Sequence, residues 1–219
     1  TLADRDREAT MLYNIGFVYR AMGDMKNALT YYTDALLLRQ VGTNRGEEAQ
    51  TLNDLGSVYY RLGDLQTALE YYNKALPMRR EVGDKNGEAI TLNELGLVYR
   101  SLGELQKALE YYDQALPLRR ALGNKRGEAV TLHNIGAVYQ NLGEWEIALE
   151  RYNQSVQLMQ AVGDKHGEAN SLNNQGDVYR SLQELNKAQE SYNKALLLKQ
   201  IVGDKLGEGT TLNNLGALF

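Results

Sequence analysis

Two histidines, no cysteine and a recurring Gly-Asp-Lys-x-Gly-Glu segment mark where this 219-residue chain would keep any reactive chemistry. Neither His133 nor His166 has a second histidine at ligand spacing. Without a thiolate, a zinc site and a cysteine nucleophile both fall away. The segment Gly83-Asp84-Lys85-Asn86-Gly87-Glu88 superficially suggests a calcium or phosphate loop. It lacks alternating acidic ligands and a Gly-Lys-Ser/Thr ending, and its glycines suit a tight turn between helices. No acid–base pair, nucleophile or metal set is found. The expectation is a chain that is no enzyme and carries no cofactor and no metal.

Asparagine offers chemistry of another kind. Asn53, Asn93, Asn173 and Asn213 occupy one position of a recurring segment, with Tyr13 and His133 in the other two copies. The next position reads Asn14, Asp54, Glu94, Asn134, Asn174 and Asn214. Further columns hold Arg20, Tyr60, Arg100, Gln140 and Arg180, and Phe17, Ser57, Leu97, Ala137 and Asp177. Asparagine is a mediocre helix former, because its side chain competes for backbone hydrogen bonds. Its repetition therefore has no propensity reason. A side-chain amide both donates and accepts, so it can pair with the peptide groups of an extended ligand. The same amides can equally bond the next helix and hold a stack together, and the residues leave both readings open. The arginines add charge-assisted bonds suited to acidic side chains or a terminal carboxylate.

The elements that carry these columns repeat. Leu52-Asn53-Asp54-Leu55-Gly56 returns as Leu92-Asn93-Glu94-Leu95-Gly96, then at 132–136, 172–176 and 212–216, with Leu12–Gly16 as the first copy; each step is 40 residues. Within a period, Leu92, Leu95, Gly96, Val98, Tyr99 and Leu102 recur at spacings of three and four, as do Leu105, Ala108, Leu109, Tyr112, Ala115 and Leu116. That spacing predicts two amphipathic helices per period, with Gly103 stopping the first. No segment alternates with period two, so no strand is expected. Gly56, Gly96, Gly136 and Gly176 sit inside helices, where glycine costs about 1 kcal/mol relative to alanine. Close helix approach is expected there, with Ala68, Ala108, Ala148 and Ala188 facing the glycines and tyrosines filling the surrounding space.

The pattern Leu52, Leu55, Gly56, Tyr59, Ala68, Tyr72 and Ala75, repeated through the chain, resembles the tetratricopeptide repeat. The common repeat is about 34 residues. The longer period here is similar to kinesin light chain, the Leu-Gly-Asn polarity adaptors and bacterial multi-repeat proteins. The resemblance implies an all-α solenoid, a right-handed superhelix of antiparallel helix pairs with a concave groove that binds peptides or proteins. It divides the chain into repeats of 9–48, 49–88, 89–128, 129–168 and 169–208, a partial helix at 209–219, and a single array cut from something longer. It places Asn14, Arg20, Asn53, Tyr60, Asn93, Leu97, Arg100, His133, Asn134, Asn173, Asn174, Arg180 and Asn213 on the groove face. The chaperone-tail clamp of the family needs an asparagine right after the helix glycine, where this chain has Phe17, Ser57, Leu97, Ala137 and Asp177. That subtype is not expected.

The partner expected is a protein or peptide segment with acidic groups. A net charge of −4 argues against nucleic acid. No apolar run is long enough for a membrane span, and a cytoplasmic location is expected. A rival reading is a structural spacer or self-assembling array, with end-to-end association through an apolar end at Leu218 and Phe219. Three local departures stand out. Pro77 and Pro117 lie inside second helices, where a kink or loosening is expected. Trp145 replaces an aliphatic core residue. The fifth copy carries Gln175, Gln183 and Gln189 where other copies have apolar residues or glycine, which reads as a softer repeat or a specific polar contact.

Overall fold

A computed structural model describes the backbone of residues 2–218 and the side chains of residues 4–218. Its eleven described helices are α1 (Leu2–Ala21), α2 (Met25–Val41), α3 (Arg45–Arg61), α4 (Leu65–Glu81), α5 (Lys85–Ser101), α6 (Leu105–Ala121), α7 (Lys125–Leu142), α8 (Trp145–Val162), α9 (Lys165–Ser181), α10 (Leu185–Val202) and α11 (Lys205–Gly216). Among the described residues there is no strand. The chain divides into two compact units, residues 1–115 and 116–219, with the division inside α6. In the first unit α1 packs on α2 and α3 on α4, and α3 also meets α2 and α5. In the second, α7 packs on α8 and α9 on α10, while α9 also meets α8 and α7, and α10 meets α11.

Seven helix starts have a local cause. The side chains of Asp24, Asn44, Asp64, Asp84, Asn124, Asp164 and Asp204 cap the helices that follow, accepting from the backbone N–H three residues on. The segment read as a glycine-bracketed connector is therefore mostly helix: Asp84 is the cap, and Gly87 already lies in the first turn of α5. Side chains decide that second glycine. A Cβ on Gly87 would strike Arg79 and Asp84, and one on Gly127 would lie 2.7 Å from Arg119 Cδ. The short turns inside each hairpin use left-handed backbone at Gly63 (φ +82°), Gly103 (φ +78°) and Gly143 (φ +80°), and at Gln183 (φ +61°) in the fifth copy.

The mid-helix glycines touch a different partner from the one expected. A Cβ on Gly56 would sit 2.8 Å from the ring of Tyr72, on Gly96 2.5 Å from Tyr112, and on Gly176 2.5 Å from Tyr192. The tyrosine ring of the second helix, rather than its alanine, lies against the glycine. The Ala148 carbonyl oxygen lies farther off, 3.3 Å from the Cβ position of Gly136. Tyr72, Tyr112, Tyr152 and Tyr192 are wholly buried. Apolar clusters form the unit cores: Ala28, Tyr32, Leu52, Leu55, Val58 and Ala75 in the first, and Ala137, Ala148, Tyr152 and Val178 in the second. Trp145 packs with Tyr139, Leu149 and Leu182 against that second cluster. Pro77 and Pro117 are exposed, and α4 and α6 run on through them.

Candidate functional site

The first helix of each pair turns one face to its own second helix and the other away from it. The sequence-derived residues lie on that second face and at its margin, and the structure sorts them by depth. Asn14 on α1 and Asn213 on α11 are exposed. Arg20, Tyr60, Leu97, Arg100, His133, Asn174 and Arg180 are half-buried. Asn53, Asn93, Asn134 and Asn173 are buried.

Two of the buried asparagines, Asn53 and Asn173, are held by the next hairpin. Thr91 Oγ1 donates to Asn53 Oδ1 at 2.8 Å, and Thr211 Oγ1 donates to Asn173 Oδ1 at 3.0 Å. Asn214 Nδ2 adds a longer bond to the same Asn173 oxygen at 3.5 Å. In the copy where histidine replaces asparagine, His133 Nδ1 lies 3.0 Å from Ser171 Oγ. The amide oxygens of Asn53 and Asn173 are thus fixed by a hydroxyl one helix pair away, and the His133 ring meets a hydroxyl at the equivalent place. Basic side chains reach Thr51 and Thr211 of the same hydroxyl row. Buried Arg39 donates to Thr51 and, at 3.0 Å, to the Glu47 carbonyl; Lys199 donates to Thr211 at 2.9 Å.

Acidic groups and tyrosine hydroxyls line the same faces. In the first unit Tyr13 donates to Asp54 Oδ2 at 2.6 Å, and Arg20 Nη1 lies 3.7 Å from Asp54 Oδ1. Tyr72 donates to Glu94 Oε2 at 3.4 Å. Tyr60 and Ser101 share a hydrogen bond of 3.1 Å. In the second unit Tyr192 donates to Asp177 Oδ1 at 2.7 Å, Asn214 Nδ2 donates to the same oxygen at 3.2 Å, and Arg180 stands 4.0 Å away. Tyr152 donates to Gln140 Oε1 at 2.7 Å, and Asn174 Nδ2 reaches the Tyr152 hydroxyl at 3.5 Å. Asn174 also meets His133 Nε2 at 3.4 Å.

Burial pushes the carboxyls of Asp54, Glu94 and Asp177 above the usual range, against the opposing pull of the tyrosine hydroxyl that bonds each. Burial likewise raises the phenol of Tyr32 to about 12. These groups stay neutral more readily than free side chains, and their main work is to donate and accept hydrogen bonds. The hydroxyl of Tyr112 is buried without a hydrogen-bond partner among the described residues, close enough to Arg100 and Glu94 to feel both charges.

The second-helix tyrosines Tyr72, Tyr112, Tyr152 and Tyr192 keep their rings in the core, as their spacing predicts. Their hydroxyls reach through to the first-helix face, which periodicity alone does not reveal. The threonine row was legible in principle. Thr51, Thr91, Thr131, Ser171 and Thr211 all stand two residues before the asparagine position.

Among the described residues no group of three or more histidines, cysteines or carboxylates is placed to hold a metal ion. No described helix is long and apolar enough to cross a membrane.

The tetratricopeptide repeat family profile matches residues 7–81, 49–121, 87–161 and 127–200. No protein of curated function matches the chain. Several solved structures share the fold. BtubC (BKLC) from P. vanneervenii is 21% identical, with a TM-score of 0.71 over 98% of this chain and 82% of that one. A Rap protein complexed with Competence and Sporulation Factor is 16% identical, with a TM-score of 0.85 over 96% of this chain and 62% of that one. The Rap conjugation gene regulator of plasmid pLS20, in complex with a Phr peptide, is 16% identical, with a TM-score of 0.79 over 91% of this chain and 55% of that one.

Proposed function

The chain belongs to the tetratricopeptide repeat family, and from that premise we propose that its first-helix faces hold an extended protein or peptide segment. One observation carries the reading. Thr91 and Thr211 occupy the Oδ1 atoms of Asn53 and Asn173 and so orient each amide, leaving its N–H donors as the adaptable side. An amide oriented in advance loses little freedom on binding. It donates to a backbone carbonyl whatever the ligand's side chains are. The hydrogen bonds between hairpins and the capture of a ligand are then two uses of one side chain.

Around those amides, Arg20, Arg100 and Arg180 offer charge, Tyr60 and Leu97 offer apolar contact, and His133, Asn134 and Asn174 extend the polar surface of the second unit. Exposed Asn14 and buried Asn93 add to the first unit's row, and exposed Asn213 to the second unit's. A similar fold holds a Phr peptide in the pLS20 regulator, which supports a polypeptide as the ligand class. Arginine on both units fits a segment with acidic side chains, although Asp54, Glu94 and Asp177 temper that preference.

The test is calorimetry on the whole chain with extended peptides selected against it by display. The double change Asn53→Ala with Asn173→Ala is expected to weaken binding by about 1–3 kcal/mol, with the helical circular dichroism kept. Unchanged affinity in a folded double variant contradicts the reading.

A spacer or self-assembling role has one supporting observation. Leu206 and Leu212 on α11 are 85% and 53% exposed, as is Met11 on α1 at 62%. Leu218 is half-buried, and Phe219 lies outside the described residues. Light scattering that rises with concentration would favour end-to-end association, and a monomer at every concentration would remove it.

A further inference from the structure

The face of α9 opposite Asn174 and Asp177 departs from the pattern of the first three helix pairs; the fourth pair also lacks the second tyrosine, with Arg151 at that position. In the first three pairs, a tyrosine of the first helix stacks on one of the second. Tyr19 on Tyr31, Tyr59 on Tyr71 and Tyr99 on Tyr111 have centroids 5.3, 5.4 and 5.2 Å apart and planes within 8°, 11° and 7° of parallel. In the fifth pair Tyr179 remains, but the position of its stacking partner holds Ser191. The volume of the lost ring is not refilled. A cleft of about 600 Å³ opens over α9 between α8 and α10, lined among others by Tyr179, Ser191, Gln175, Asn153, Leu172 and Leu198.

A second substitution meets the first in the same place. Gln175 stands where the other copies have Ile15, Leu55, Leu95 and Ile135, and it is buried. Its Nε2 donates to Asn153 Oδ1 at 2.6 Å, and its Oε1 accepts from Ser191 Oγ at 3.5 Å. Gln189, the other polar replacement, is exposed and takes no part. A repeat that had merely softened would lose the ring. It would not also acquire a buried, hydrogen-bonded amide on the floor of the gap. The cleft is within the roughly 300–1,000 Å³ range of small-ligand sites; Val156, Leu172, Leu197 and Leu198 give it an apolar side, and charged Glu168, Lys187, Glu190 and Lys194 are also among its lining residues.

We propose that this cleft is a ligand site for a phenolic ring, which lies against Tyr179 in the place of the absent tyrosine and turns its hydroxyl toward Gln175 and Ser191. The three tyrosine pairs elsewhere in the chain supply the geometry: parallel, offset rings about 5 Å apart. Lys187, whose Nζ lies 5.5 Å from the Tyr179 centroid, already covers part of that ring. The site is separate from the first-helix face, so it stands or falls independently of peptide capture there.

The test uses the intact chain, with p-cresol and toluene as probes, followed by saturation-transfer NMR and thermal unfolding. Wild type is expected to bind p-cresol saturably at millimolar concentration and in preference to toluene, and to unfold at a higher temperature in its presence. Ser191→Tyr refills the cleft from within. It is expected to raise the melting temperature without ligand and to abolish p-cresol binding. Gln175→Leu keeps the ring site and removes the polar floor, and it is expected to reverse the preference toward toluene. N-acetyl-tyrosinamide, run in parallel, tells a free phenol from one carried on a polypeptide, and tighter binding of the amide assigns the ring to a tyrosyl side chain. Absence of saturable p-cresol binding to wild type, equal binding to Ser191→Tyr, or an unchanged preference in Gln175→Leu would overturn the proposal.

Discussion

The hydroxyl of Thr91 donates to Oδ1 of Asn53 across 2.8 Å, joining residues 38 apart in sequence and on successive first helices. Both side chains are buried. Thr91→Val keeps the shape of the side chain and removes the donor, leaving a buried carbonyl oxygen unpaired. We expect a loss of about 1–2 kcal/mol in urea unfolding. With Asn53→Ala in the same chain the two losses should fall short of their sum, because they remove one bond. Full additivity would show that the pair does not couple the hairpins.

Gly96→Ala sets helix propensity against packing. Alanine is favoured over glycine by about 1 kcal/mol inside a helix. The added methyl carbon would lie 2.5 Å from Cε1 of the buried Tyr112 ring, which has no room to retreat. Overpacking of this kind costs about 1–3 kcal/mol, so a net loss of stability is expected on thermal or chemical unfolding. A stabilised Gly96→Ala variant would refute the close approach.

Gln183 holds the left-handed turn that glycine holds in the other copies, at φ +61°. Left-handed backbone costs a residue with a Cβ about 1–2 kcal/mol, partly offset by the extra freedom that glycine gives the unfolded chain. Gln183→Gly is expected to stabilise the second unit by about 0.5–1 kcal/mol, read as a shift in the urea midpoint.

How far the sequence carries this account can be seen residue by residue. The period and the apolar spacing are enough for the helix pairs, because amphipathic faces such as Leu92–Leu95–Tyr99 have one stable way to bury themselves. The turn at Gly103 follows from glycine's access to positive φ. The starting turns were less visible, because Asp84 in a polar, glycine-flanked run reads as loop until its side chain is seen capping α5. The depth of the asparagines was not legible at all. Asn53 and Asp54 are neighbours in sequence, and only the approach of the next hairpin decides which is buried against a threonine. The cleft beside Tyr179 was half visible. Gln175 announced something polar, but its link to the missing ring at Ser191 depends on three helices meeting.

The buried carboxylates make a prediction about pH. A carboxyl whose native pKa is raised binds its proton more tightly in the fold than in the unfolded chain. Stability therefore falls as pH rises through the window from the unfolded to the native pKa, and above that window the ionised group is a standing penalty. Asp54, pushed up by burial, is such a group. Asp54→Asn keeps an oxygen for the Tyr13 hydroxyl and removes the charge. We expect the variant to be more stable than wild type at pH 7.5 and to lose that advantage below the ordinary carboxylate range. A variant less stable than wild type at pH 7.5, with a deficit that shrinks on acidification, would mean that the ionised Asp54 is favoured in the fold.

The account rests most heavily on amides that are oriented by one hairpin and offered to a ligand. The direct measurement is two-dimensional NMR of the side-chain N–H₂ groups of Asn53 and Asn173 while a display-selected peptide is added. If the account is right, both pairs of resonances shift on binding and exchange more slowly with solvent, while the signals of exposed Asn73 and Asn193 stay in place. A peptide that binds tightly while the Asn53 and Asn173 amides neither move nor gain protection would contradict it.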